Sequence, residues 1–155
     1  MPDTFEAVAR KLMENETAIG HLYELFSLTF PLDAELWTRL AQDEHQHAEW
    51  IRHASEAAAP DERERSPLSI RLVAIENMIQ HVGSIGERCR RNELTRINAL
   101  ALGRDLENSL LESKLLGTLS TGTARLAGLE HALVQSTADH RRSLVEAVDR
   151  VRQRP

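Results

Sequence analysis

Between Trp37 and Ala58, one row of residues recurs at steps of three or four: Trp37, Leu40, Glu44, His47, Ile51, Ala54 and Ala58. That spacing is the repeat of a single helix face, and five of the seven positions are apolar. Glu44 and His47, three residues apart, therefore fall inside the row that turns toward a core. A carboxylate and an imidazole are costly to bury unless they are ion-paired, hydrogen-bonded or bound to a metal. Any fold open to this chain has to satisfy Glu44-x-x-His47.

The same interruption recurs along the chain. A first helix is expected over about 4–28, capped by Asp3 or Thr4, with Glu6 at capping-box distance from Asp3. Its inward row is Phe5, Val8, Leu12, Glu16, Ile19, Tyr23 and Phe26, broken only by Glu16. Pro31 ends that helix and Asp33 is expected to cap the second, over about 33–58. The short link Phe30-Pro31-Leu32 makes the two an antiparallel hairpin. A charged linker from Pro60 to Pro67 follows, and Ser66-Pro67 opens a third helix over about 67–90. Its row, Leu72, Ile75, Ile79, Val82 and Ile85, holds no acid, which marks it as a crossover; Gly83 and Gly86 weaken its second half.

Arg90-Arg91-Asn92 is the expected break before a fourth helix, over about 93–118, with Leu94, Ile97, Leu100, Arg104, Glu107, Leu111 and Lys114 along one side. Ser120 to Thr123 reads as a turn. A fifth helix, about 123–152, carries Leu126, Leu129, Leu133, Thr137, His140, Leu144, Val148 and Val151 in one row. Arg150, Arg152 and Arg154 suit the negative end of its dipole.

Composition bounds the rest. A chain of 155 residues is one domain by prior and buries roughly 70% of its unfolded surface. With 19 basic and 24 acidic residues, a net charge of −5 and no extended basic block, nucleic acid is excluded as the expected partner. No apolar run approaches the roughly 20 residues of a membrane span, and the acidic start lacks the form of a signal peptide. Cys89 is the single cysteine, so no internal disulfide forms, which fits a reducing cytoplasm. Leucine, alanine, glutamate and arginine make the composition helical.

The helices fall into two similar hairpins. Glu16 precedes Glu44-x-x-His47 by 28 residues, and Glu107 precedes Thr137-x-x-His140 by 30. Each lone glutamate and each paired motif sits mid-helix, so antiparallel packing brings them to one height. Two helices each giving Glu-x-x-His and two each giving a lone Glu are the means by which a four-helix bundle holds two metal ions.

On these residues the chain resembles a rubrerythrin-like member of the ferritin-like superfamily: Glu16 with Tyr23 seven residues on, then Glu44-x-x-His47, then the stretch from Ala101 to Glu112, closed by His140. The resemblance implies an all-α, ferritin-like four-helix bundle over residues 1–155, with the third helix in a long crossover. It implies a non-haem di-iron centre reacting with peroxide or oxygen, with Glu16, Glu44, His47, Glu107 and His140 as ligands and Tyr23 as a redox-active side chain. Manganese is an alternative metal, and a dimer is the expected assembly. The rubredoxin-like module of the full peroxidases needs four cysteines, so electrons would come from an external redox partner.

The sequence departs from that pattern at Thr137, where the family has Glu, and at Lys114, where it has a second core tyrosine. A hydroxyl is a poor ligand beside carboxylate and imidazole. The second half could then be eroded, leaving one ion or none, and Arg104 or Lys114 could pair with Glu107 instead. Plainer readings stand beside these. Glu44 and His47 could be a buried hydrogen-bonded pair, Tyr23 a packing residue, and His140 a core histidine with one hydrogen bond. His21, His45, His53 and His131 read as surface residues, and Cys89 as a packing residue near a helix end. Two other functions remain open: a metal-free structural or interaction module, and a subunit of an iron-storage cage.

Overall fold

Thr4 opens the first helix by accepting a hydrogen bond from the Ala7 N–H on its side-chain oxygen, at 3.2 Å. Helix α1, Phe5–Thr29, runs until Phe30, whose N–H still reaches the Phe26 carbonyl at 2.8 Å. Pro31 cannot continue it and begins a single 3-10 turn, Pro31–Asp33, that leads into α2, Ala34–Ala57. The computed structural model describes residues 4–58, 60, 71–108 and 124–154, and every regular element among them is helical.

Asp33 stands where a cap was expected, but its side chain makes no capping bond. Its carboxylate instead accepts from Nε and Nη2 of Arg96 at 2.6 and 2.8 Å. A two-pronged charged pair outcompetes a single backbone N–H for the same oxygens. The pair ties the α1–α2 turn to Arg96, a residue 63 positions along the chain, and its hydrogen bonds raise the Arg96 pKa.

Helix α3 is Leu72–Arg90, entered through an extended Arg71; the expected start at Ser66-Pro67 and most of the charged linker lie outside the described residues. It ends at the predicted break. Asn92 takes a positive φ of 59°, the Asn92 N–H donates to the Cys89 carbonyl at 3.0 Å, and that of Glu93 to the Arg88 carbonyl at 2.9 Å. This is a Schellman closure with asparagine in the place glycine usually takes. Helix α4, Arg96–Glu107, starts at 96 and not 93 because Thr95 and Asn98 exchange side-chain and backbone hydrogen bonds at 3.2 and 3.1 Å. Asn108 closes its last described turn; Leu111, Lys114 and the turn from Ser120 lie outside the described residues. Helix α5 is Ala124–Gln153.

The rows predicted for α1 and α2 are buried throughout. The row of α4 is rotated: Ala99, Leu100, Gly103, Leu106 and Glu107 face inward, and Arg104 is half-exposed. Gly103 is what lets α4 approach, since a Cβ there would lie 2.9 Å from Cη2 of Trp37. Its lack of a side chain gives no periodic signal.

Among the described residues, two apolar clusters fill the interior. One joins Phe5, Val8 and Leu12 of α1 to Ile51 and Ala54 of α2, Ile75 of α3 and Leu133 of α5. The other joins Tyr23 and Phe26 of α1 to Trp37 and Leu40 of α2, Val82 and Ile85 of α3, Leu100 of α4 and Leu144 of α5. Reading each helix from one cluster to the other, α1, α3 and α5 run one way and α2 the opposite way. No described helix is long and apolar enough to cross a membrane. Between the two clusters lies a polar layer.

Candidate metal centre

That layer holds all five residues singled out as ligands. Glu16, Glu44, His47, Glu107 and His140 are exposed by 0, 1, 0, 6 and 3% respectively. They come from four helices and form two triads that share a member: Glu16, Glu44 and His47, then Glu44, Glu107 and His140. Within each triad one donor atom from every residue lies within 4.8 Å of the others.

Glu44 is the hinge of the arrangement. Its Oε2 faces Nδ1 of His47 at 3.5 Å, and its Oε1 faces Nδ1 of His140 at 3.0 Å. Glu16 Oε2 also lies 3.5 Å from Nδ1 of His47, and Glu107 Oε2 lies 3.4 Å from Nδ1 of His140. The two imidazoles stack with ring centres 5.3 Å apart and planes 21° from parallel. Both therefore turn Nδ1 into the pocket and Nε2 out of it.

The outward nitrogens are held by residues that the sequence did not mark. Ser136 Oγ lies 2.7 Å from Nε2 of His47 and 3.4 Å from Nε2 of His140. Asp43 Oδ2 lies 3.0 Å from Nε2 of His140. A partner on the far nitrogen fixes ring orientation, and the Asp43 carboxylate, which only accepts, places a proton on Nε2 of His140 and leaves its inner nitrogen turned to the pocket. Ser136 had a readable signal, four residues before His140 on the same face. Asp43 had none, because it sits one position off the buried row and is itself 45% exposed. Asn15 adds a contact from its amide nitrogen to Glu16 Oε1 at 3.4 Å.

Tyr23 is both packed and bonded. Its ring lies against Trp37, with centres 5.2 Å apart. Its hydroxyl donates to Glu107 Oε1 at 2.7 Å, leaving Oε2 as the oxygen turned to His140. It holds a candidate ligand in place. Arg104, offered above as a partner for Glu107, instead donates to Asp105 at 3.2 and 3.3 Å. Lys114 lies outside the described residues. Thr137 is only half-buried, and Ser136 stands between the histidines instead.

These residues pass a test of fit to a metal. Both oxygens of Glu44 and Nδ1 of His140 are buried with no hydrogen bond aligned on them. Separations of 3.0–3.5 Å are too long or too oblique for good hydrogen bonds, but they match the edges of a coordination shell. With bonds of about 2.1 Å, octahedral edges measure about 3.0 Å and tetrahedral edges about 3.4 Å.

Electrostatics gives the metal-free pocket another way to carry its charge. Burial pulls the His140 pKa down, but Glu107 and Glu44 outweigh it, and the pKa is raised to about 11. A metal bound through Nδ1 would displace that proton. On the α2–α5 side a cavity of about 380 Å³, lined by Arg39, Asp43, Ser136, Asp139 and Arg142, meets His140 from the side of its outer nitrogen. Comparison with known proteins gives no matching family model, no similar curated protein and no similar solved structure.

Proposed function

We propose that this chain is a ferritin-like di-metal protein, with iron as the metal, that reacts with peroxide or oxygen. The observation that carries this reading is the Glu44 carboxylate, whose two oxygens face two histidines from different helices. Glu44 would then be the carboxylate that both ions share. Glu16 and His47 would complete one ion's protein ligands and Glu107 and His140 the other's. The metal pair, when bound, supplies the redox chemistry. Three carboxylates for two divalent ions leave positions open, consistent with Thr137 standing where a glutamate is expected.

The chain's own residues provide position and exclusion of water. Tyr23 holds Glu107, while Ser136 and Asp43 hold the two rings. The apolar clusters above and below exclude water from the layer. The electrons would be delivered by a separate donor protein.

A second reading has one observation in its favour. A protonated His140 between Glu44 and Glu107 lets the pocket offset part of its negative charge without metal, as in a structural or interaction module. Anaerobic reconstitution with Fe2+ separates the two. The di-metal reading expects about two irons per chain, an absorbance band in the near ultraviolet on oxidation, and loss of both ions in Glu44→Gln. A protein that keeps no iron overturns it in favour of the metal-free module.

A further inference from the structure

A different set of metal-binding side chains lies on the outside of the α1–α2 hairpin. His21 and Glu24 stand three apart on α1, and His45 reaches across from α2; one donor atom from each lies within 4.8 Å of the others. His45 Nε2 is 2.7 Å from Glu24 Oε1. The His21 ring meets the His45 ring edge-on, with centres 5.4 Å apart.

Gly20 accounts for the closeness of His45. A Cβ at position 20 would lie 2.9 Å from Cε1 of that ring. The imidazole therefore rests in space that any other residue would fill, and its direction is set before a ligand arrives. The side chains of His45 and Glu24 are 36 and 54% exposed, so water can complete a coordination shell from the open side.

We propose that His21, Glu24 and His45 form a surface site for a zinc-type divalent ion, distinct from the buried centre. Two imidazoles and one carboxylate with an open position are a set that zinc takes with water as fourth ligand. Imidazole also favours late first-row ions over magnesium or calcium. The 2.7 Å contact between His45 and Glu24 is shorter than a coordination edge of about 3.0–3.4 Å. Glu24 must therefore draw back slightly on binding, which a half-exposed side chain does freely. None of the three residues belongs to the buried triads, so this site stands or falls apart from the di-metal reading.

The test is a titration of the metal-free full chain with Zn2+, followed by calorimetry and by zinc content after dialysis. Wild type is expected to hold one zinc per chain that His21→Ala loses, with affinity at that site weakened about tenfold or more. Gly20→Ala, which keeps all three donors but displaces the His45 ring, is expected to weaken the same site. In a Glu44→Gln background the His21-dependent zinc is expected to persist, whatever becomes of the buried centre. Equal zinc content and affinity in wild type and His21→Ala overturns the proposal, leaving a histidine–glutamate hydrogen bond beside a ring contact. Zinc that disappears with Glu44→Gln and not with His21→Ala overturns it too.

Discussion

The hydroxyl of Tyr23 shows how much a single buried group can decide. It donates to Glu107 Oε1 at 2.7 Å inside a layer closed to water, and so selects which oxygen turns to His140. Removing it leaves the ring's packing against Trp37 nearly unchanged but strips a buried carboxylate of its donor. Tyr23→Phe is therefore expected to destabilise the metal-free protein by about 1–3 kcal/mol, measured by denaturant unfolding. A change near zero would mean that Glu107 finds another donor. Tyr23 was legible as a core residue from its place in the row of α1. Its partner was not, because Glu107 lies 84 residues away and no local pattern joins them.

Rows of residues fix which face of an element is buried, but not how closely two elements approach. The rows of α1 and α2 were read correctly because seven periodic positions in each leave little freedom in rotation. Helix α4 was read with Arg104 inward because glycine carries no hydropathy signal, and Gly103 is the residue that touches Trp37. Asp33 was assigned a cap from residue type alone, and the distant Arg96 took its carboxylate. Gly103→Ala is expected to cost about 1–3 kcal/mol, since the new methyl meets the rigid, fully buried indole of Trp37. Thermal unfolding checks this, and an unchanged midpoint would mean that α4 can shift away without penalty.

Across the whole molecule, the polar layer joins α1, α2, α4 and α5 between two apolar clusters. An ion held there crosslinks helices that are distant in sequence, and it binds only when they are assembled. Adding Fe2+ or Mn2+ at about 100 times its dissociation constant is expected to stabilise wild type by about 2.7 kcal/mol for each ion bound. Glu44→Gln, lacking the shared carboxylate oxygen, is expected to show little of this in the same thermal scan. A midpoint unmoved by metal in wild type would count against the di-metal reading. The sequence by itself determined that the chain is helical, that four rows each carry polar residues at mid-height, and which five side chains those are. It could do so because helical periodicity and the cost of burying charge are local properties of a row. Only the tertiary structure decided that Glu44 lies between the two histidines, that Ser136 and Asp43 hold their outer nitrogens, and that Gly20 brings His45 beside Glu24. Those are distances between helices, set by packing, and no repeat within one helix encodes them.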